Sequence, residues 1–243
     1  FDFQQQGCEW LQALWCGGSP GGLLADDMGL GKTVQTLAFL AWLRQSLGEP
    51  HVTGPILTVA PTGLLRNWLA EHDRHLIAPG LGEIVEAHGP GLADLRRGGA
   101  TGGELSAGVS TLDTARLQSA DWVLTTYETL RDYQHSFGTI RWSVLVLDEA
   151  QKVKNPQALM SEAGKPLDAQ FTIALTGTPL ANRLADRLVR PGLTPREHEV
   201  MDLVIAGRHN RDIAAQLGIS ARTVEVHKAR VMQKLQVASI PDL

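Results

Sequence analysis

The chain has 243 residues, 43% of them hydrophobic and 20% charged, with a formal charge of −4 at neutral pH. That apolar content suits a folded chain and excludes a disordered polyelectrolyte, and two cysteines, Cys8 and Cys16, make neither a disulfide framework nor a cysteine-held metal cluster. With no apolar span of about 18 residues and no leader pattern, the expected setting is soluble and cytoplasmic.

The first element that carries chemistry lies near residue 22. Residues 22–25 suit a short buried strand, residues 34–47 keep helical spacing, and Gly29-Leu30-Gly31-Lys32-Thr33 stands between them. Glycines there let the backbone turn tightly and aim N–H groups at phosphate oxygens, and the helix start adds its positive end. Lys32 supplies a charge for the β- and γ-phosphates, and the Thr33 hydroxyl suits Mg²⁺. The strict pattern has glycine at position 26, where Asp26 stands, and an ordinary Gly/Lys turn is the competing reading.

Residues 89–108 are glycine-rich with little hydrophobic period, which predicts a mobile surface loop between strands near residues 84–85 and 122–124. Trp10, Trp15, Trp42, Trp68, Trp122 and Trp142 fall mostly inside apolar patterns and read as core. Val144, Leu145, Val146 and Leu147 form a continuous apolar run, suited to a central parallel strand. At its end Asp148 is placed to hold Mg²⁺ and Glu149 to orient or deprotonate an attacking water; two solvated acids at a strand end are the alternative. Thr176-Gly177-Thr178-Pro179 is the third segment of this kind.

From Pro191 the composition changes. Residues 1–189 hold 14 Lys and Arg against 20 Asp and Glu, whereas residues 190–243 hold 8 against 6, so any basic surface is local. Thr194 is a helix N-cap with Pro195 at the first helical position, and Val200, Leu203, Val204, then Ile213, Ala214, Leu217 keep helical spacing. Ser220 caps a third helix bearing Arg222, Thr223, His227, Lys228, Arg230 and Lys234 on its polar face. Two short helices, a glycine turn at Gly218 and a basic-faced helix describe a helix-turn-helix, with a merely solvated basic face as the alternative.

Together the upstream blocks carry a family likeness. Phe3-Gln4-Gln5-Gln6-Gly7, Asp26-Asp27-Met28-Gly29-Leu30-Gly31-Lys32-Thr33, Val59-Ala60-Pro61-Thr62, Asn67-Trp68, Thr125-Thr126-Tyr127-Glu128, Asp148-Glu149-Ala150-Gln151 and Thr176-Gly177-Thr178-Pro179 occur in order. Residues 3–188 thereby resemble the first RecA-like lobe of the Swi/Snf-type ATPases of helicase superfamily 2. The resemblance implies that Gln4 contacts adenine, so that the nucleotide is ATP, and that Pro61-Thr62 and Thr125-Thr126 touch a nucleic-acid backbone. It further implies that Thr176 to Pro179 couple that contact to hydrolysis. Without it, those Thr and Pro residues read equally well as turn chemistry. Gln151 and Ala181 depart from the commoner histidine and glutamate. Such motors also need arginines from a second RecA-like lobe, whose pattern does not follow Asn182, so hydrolysis is expected to be weak unless such a lobe acts in trans.

Residues 193–243 resemble the LuxR/FixJ-type output domain, from Leu193-Thr194-Pro195-Arg196-Glu197 to Ser220-Ala221-Arg222-Thr223-Val224-Glu225-Val226-His227. The resemblance implies that Thr223, His227 and Lys228 contact duplex DNA with Asn210 and Arg211 near the backbone, while Val224 is either base-facing or core. Such domains pair through a last helix, which would begin at residues 239–243, so dimerisation stays open.

The expected fold is an α/β, RecA-like P-loop lobe with a mostly parallel sheet at residues 1–189, followed by a small all-α helix-turn-helix domain at residues 190–243. The expected function is an ATP- and DNA-binding regulator of bacterial, nucleoid-associated type. Its rivals are a DNA-dependent ATPase fragment and a chimera without integrated function. The face awaiting a second lobe would expose apolar residues and favour self-association.

Overall fold

The computed structural model describes residues 2–25, 29–46, 54–97, 104, 111–150, 167–177, 194–205 and 208–235. Asp26, Gln151, Thr178, Pro179, Ala181, the junction at residues 184–190 and residues 239–243 lie outside that set. The chain forms two compact units, Phe1–Ala185 and Asp186–Leu243.

The first unit runs α1 (Asp2–Cys16), β1 (Gly21–Leu24), α2 (Lys32–Ser46), β2 (Ile56–Val59), α3 (Thr62–His75), β3 (Ile84–Ala87) and α4 (Gly89–Leu95). It continues with α5 (Thr114–Ser119), β4 (Trp122–Thr125), α6 (Tyr127–Asp132), α7 (Gln134–Gly138), β5 (Trp142–Leu147) and β6 (Ala169–Leu175). The strands form one sheet in the order β1-β6-β5-β2-β4-β3, and every described pairing is parallel. β2, β4 and β5 are buried along their whole length, as strands covered on both faces must be.

Alternate strand residues set one face against the helices. Ile56, Trp122, Val144, Val146, Phe171 and Ile173 join Leu11, Leu37, Leu40, Leu65 and Trp68 from α1, α2 and α3 in a single apolar cluster. The Phe171 ring lies 5.5 Å from Trp15 and 5.6 Å from Phe39. Burying each such side chain contributes roughly 1.5–3 kcal/mol, which fixes this helical layer on the sheet. Of the tryptophans, Trp68, Trp122 and Trp142 are fully buried, whereas Trp10 is 41% exposed and so is not core. An Arg44–Asp121 ion pair ties the end of α2 to the turn before β4, where Asp121 also accepts the Glu83 N–H at 2.7 Å.

The expectation of a featureless loop over residues 89–108 is corrected. Pro90 lies in the first turn of α4, Arg96 and Leu112 form an antiparallel bridge, and Glu104 is buried. The Glu104 carboxylate accepts the Thr111 and Ser136 N–H groups at 2.6 and 2.8 Å, besides both residues' hydroxyls. Glycine content concealed this anchor, because one buried, fully bonded carboxylate gives no hydrophobic period.

The second unit comprises α8 (Pro195–Ile205), α9 (Asn210–Leu217) and α10 (Ala221–Leu235). Val200, Val204, Ile213, Ala214 and Val224 form its core, with Leu203, Leu217 and Ile219 packed against it. Gly218 takes φ 65°, the left-handed conformation that ends α9 and lets the Ile219 N–H return to the Ala214 carbonyl at 3.0 Å. Ser220 then accepts the Thr223 N–H at 3.1 Å and starts α10. Among the described residues no helix is long and apolar enough to cross a membrane.

Candidate functional site

Because β1, β6, β5, β2 and β4 are parallel, the segments that follow them emerge on one edge of the sheet, where ligands of open α/β sheets bind. Gly29 and Gly31 follow β1 with φ of 89° and 73°, values that disfavour any side chain. A Cβ at Gly31 would overlap the Gln4 amide, so the loop is a cradle closed on one side by the residue assigned to adenine. α2 starts at Lys32, and its first turn holds no acidic residue, which leaves its positive end to an anion. Thr33 is half-buried in that turn, while the buried Thr36 spends its hydroxyl on the Lys32 carbonyl at 2.8 Å. Gln35 steadies the loop through a 3.2 Å bond to the Leu30 carbonyl.

β6 lies between β1 and β5, so Asp148 and Glu149 emerge two strands from the glycine loop. Asp148 is buried, and its Oδ2 accepts the Trp68 indole N–H at 2.8 Å while Oδ1 accepts the Glu149 N–H at 2.8 Å. Burial raises the Asp148 carboxyl above its ordinary range, as does the charge of Glu149; the two hydrogen bonds and the positive charge of Lys32 act against it. A divalent cation would add to that opposing side and favour the carboxylate. Glu149 is half-buried at φ 52°, the one non-glycine residue with positive φ among those described. The Tyr127 hydroxyl donates to the Asp148 carbonyl at 2.8 Å, and burial, with the charges of Asp148 and Glu149, pushes its phenol well above its usual value.

The strand-end residues differ in what they offer a nucleic acid. Thr62 is exposed at the start of α3, which has no side-chain cap. Thr125 and Thr126 are buried, and here turn chemistry accounts for the hydroxyls. Thr125 donates to the Ala87 carbonyl at 2.8 Å, and Thr126 caps α6 by accepting the Thr129 N–H at 3.0 Å. Thr176 is buried after β6, its N–H bonded to the Leu24 carbonyl at 3.1 Å.

Beside the loop lies a cleft of about 410 Å³ whose lining includes Phe3, Trp10 and Leu30. These three are 38–42% exposed. Sequence reasoning placed Trp10 with the core and gave Phe3 and Leu30 no part in a cleft, because the exposure of an apolar side chain depends on what the rest of the chain leaves uncovered. Trp68 and Tyr127 were also missed as site residues. Trp68 sits in an apolar helical pattern, and the partner of its N–H is 80 positions away.

In the second unit α10 presents Arg222, Val226 and Arg230 outward, with Thr223, His227 and Lys228 half-exposed. Lys228 bonds to Asn210 Oδ1 at 3.2 Å, which brings two of the residues expected at DNA together, and Arg211 is exposed beside them on α9. Val224 is corrected from the DNA-contacting set: it is fully buried, one turn into α10, in the core formed with Val200, Val204 and Ile213. Its helical position borders both faces, so spacing alone left the alternatives open.

Comparison with known proteins adds two matches. A family model described as SNF2-related domain matches residues 3–189, and one described as bacterial regulatory proteins, luxR family, matches residues 191–243. The chain is 40% identical over 191 residues to Zorya protein ZorD of Escherichia coli O139:H28 (strain E24377A / ETEC), covering 76% of this chain and 17% of that protein. It is 35% identical over 184 residues to Helicase SWR1 of Candida glabrata, covering 76% and 11%. Among solved structures it resembles the Sulfolobus solfataricus SWI2/SNF2 ATPase core in complex with dsDNA, with a TM-score of 0.55, 30% identity, and 78% of this chain and 35% of that one covered. The chain thus spans 17% and 11% of those two relatives' own lengths.

Proposed function

This chain belongs to the SNF2-related domain family, and on that premise we propose that it is an ATP-binding and DNA-binding protein of regulatory type. Its first unit holds Mg·ATP and its second holds duplex DNA. The observation that carries the reading is the single sheet edge on which the glycine cradle, Lys32 and the Asp148–Glu149 turn meet, with the Lys32 charge acting on Asp148.

In this reading Gly29 and Gly31 let backbone N–H groups reach the phosphates, and Lys32 neutralises the β- and γ-phosphoryl charge. Gln4, against Gly31, orients the adenine. Thr33 and Asp148 hold the Mg²⁺, which when bound draws off charge from the phosphate oxygens. Glu149 orients the water that would attack the γ-phosphate and accepts its proton. Turnover is slow unless a second RecA-like lobe supplies arginines to the γ-phosphate.

In the second unit Thr223, His227 and Lys228 meet DNA from α10, and Asn210 and Arg211 hold its backbone from α9. The exposed Val226 suits a thymine methyl group. A luxR-type unit fits a bacterial, nucleoid-associated protein. Fluorescence anisotropy with labelled duplex tests this half. Replacing Thr223 and Lys228 together by alanine is expected to weaken binding about tenfold or more at fixed salt, with no dependence on ATP. Unchanged binding in that variant would remove α10 as the DNA-reading element.

A second reading, a DNA-dependent ATPase completed by another RecA-like lobe in trans, is favoured by Glu149, which ATP binding alone does not require. Turnover that rises when such a lobe and duplex are added, and that vanishes in Glu149→Gln, would establish it.

A further inference from the structure

We propose that Trp68 and Tyr127 are positioning residues of the nucleotide site, clamping the Asp148–Glu149 turn so that one carboxylate orientation is presented to Mg²⁺. This rests on the ATP-binding reading above and assigns the task to two residues outside the phosphate loop and the acidic pair.

The clamp has two arms. On the side chain, Trp68 Nε1 donates to Asp148 Oδ2 at 2.8 Å while the Glu149 N–H holds Oδ1 at 2.8 Å, so rotation of the carboxylate would break one or both bonds. Each oxygen keeps acceptor capacity for a metal ion or its water. On the main chain, the Tyr127 hydroxyl donates to the Asp148 carbonyl at 2.8 Å, which fixes the peptide plane leading into Glu149. That residue is held at φ 52°, where a non-glycine residue needs outside support.

Both arms are themselves held. Trp68 is fully buried on α3, edge-on to Trp122 with ring centroids 6.4 Å apart, and Trp122 is tethered through its own N–H to Thr58 at 2.9 Å. Tyr127 is the first residue of α6, whose start is capped by Thr126. The three fully buried tryptophans make the contrast. The N–H groups of Trp122 and Trp142 go to Thr58 and to the Phe137 carbonyl, whereas that of Trp68 goes to the carboxylate assigned to the metal. Partners of this kind behind a metal ligand set its orientation, and losing one typically costs about 10- to 100-fold in metal affinity.

The test is calorimetric titration of ATP into the full chain, with excess Mg²⁺ and with excess EDTA, for the unsubstituted protein, Trp68→Phe, Tyr127→Phe and Trp142→Phe. The expected result is that the enhancement by Mg²⁺ falls about tenfold in Trp68→Phe and several-fold in Tyr127→Phe, with affinity in EDTA within about twofold of the unsubstituted value. Trp142→Phe, which removes the buried indole N–H that goes to the Phe137 carbonyl, should keep the enhancement. Should Trp68→Phe not fold, Tyr127→Phe carries this comparison, and the indole ¹H–¹⁵N resonance of Trp68 is expected to shift in Asp148→Asn. An unchanged enhancement in whichever of Trp68→Phe and Tyr127→Phe fold, an equal fall in Trp142→Phe, or an unmoved indole resonance would overturn the clamp. If the unsubstituted chain binds no ATP in Mg²⁺, the ATP-binding reading fails first and takes this inference with it, an outcome seen before any substitution is compared.

Discussion

Glu149 shows how a single residue's backbone and side chain are set against each other. Its φ of 52° costs on the order of 1–3 kcal/mol for a non-glycine residue, and the turn keeps it because the Asp148 side chain and Tyr127 bind the adjoining peptide groups. Glu149→Gly is therefore expected to melt at or above the temperature of the unsubstituted chain, and Glu149→Val several degrees below it, as read by thermal denaturation. Gly31→Ala should weaken ATP binding about tenfold or more in calorimetry, since the new methyl group meets the Gln4 amide at φ 73°. That Lys32, Asp148 and Glu149 follow buried strands was legible in the sequence, because charged or small residues end apolar runs there. Trp68 and Tyr127 were not, because where an indole N–H or a phenol points is decided by long-range packing. The hydroxyls of Thr125 and Thr126 were ambiguous for the same reason, and the fold spends them on its own backbone.

At the scale of elements, the start of α8 was fully written in Thr194-Pro195-Arg196-Glu197. Thr194 Oγ1 accepts the Glu197 N–H at 3.3 Å and Glu197 Oε2 accepts the Thr194 N–H at 2.7 Å, a reciprocal capping box. What the sequence did not show is that Lys234, from α10, completes it at 2.7 Å. Burial tends to raise the Glu197 carboxyl, but the Lys234 ammonium and the Thr194 N–H and hydroxyl outweigh it and hold it at about 2, against 4.5 when free. A carboxyl depressed in the folded state binds its proton more readily in the unfolded one. Its stabilisation is thus complete above about 4.5 and is lost as pH falls from there towards about 2. Amide resonances of residues 194–235 should accordingly weaken over that interval in the full chain, and Glu197→Gln should remove much of this dependence while lowering stability near neutral pH. A unit equally stable at both ends of the interval would contradict the assignment. The parallel strands were legible as apolar runs, whereas α4 and the Glu104 anchor were hidden by the glycines around them.

For the whole molecule, the chain divides into two compact units, an acidic α/β lobe and a slightly basic helical unit. Phe3, Trp10 and Leu30 stand exposed at the mouth of the phosphate loop, so sedimentation velocity is expected to show concentration-dependent self-association that Trp10→Gln reduces. Strictly monomeric behaviour at high concentration would count against that face being adhesive. The central claim is that the lobe holds Mg·ATP through Lys32 and the Asp148–Glu149 turn, and the most direct measurement is ATP binding and turnover in the same samples, with and without duplex DNA. The account predicts binding that is lost in Lys32→Ala and kept in Glu149→Gln, with slow turnover in the unsubstituted chain; no binding, or binding indifferent to Lys32→Ala, would contradict it.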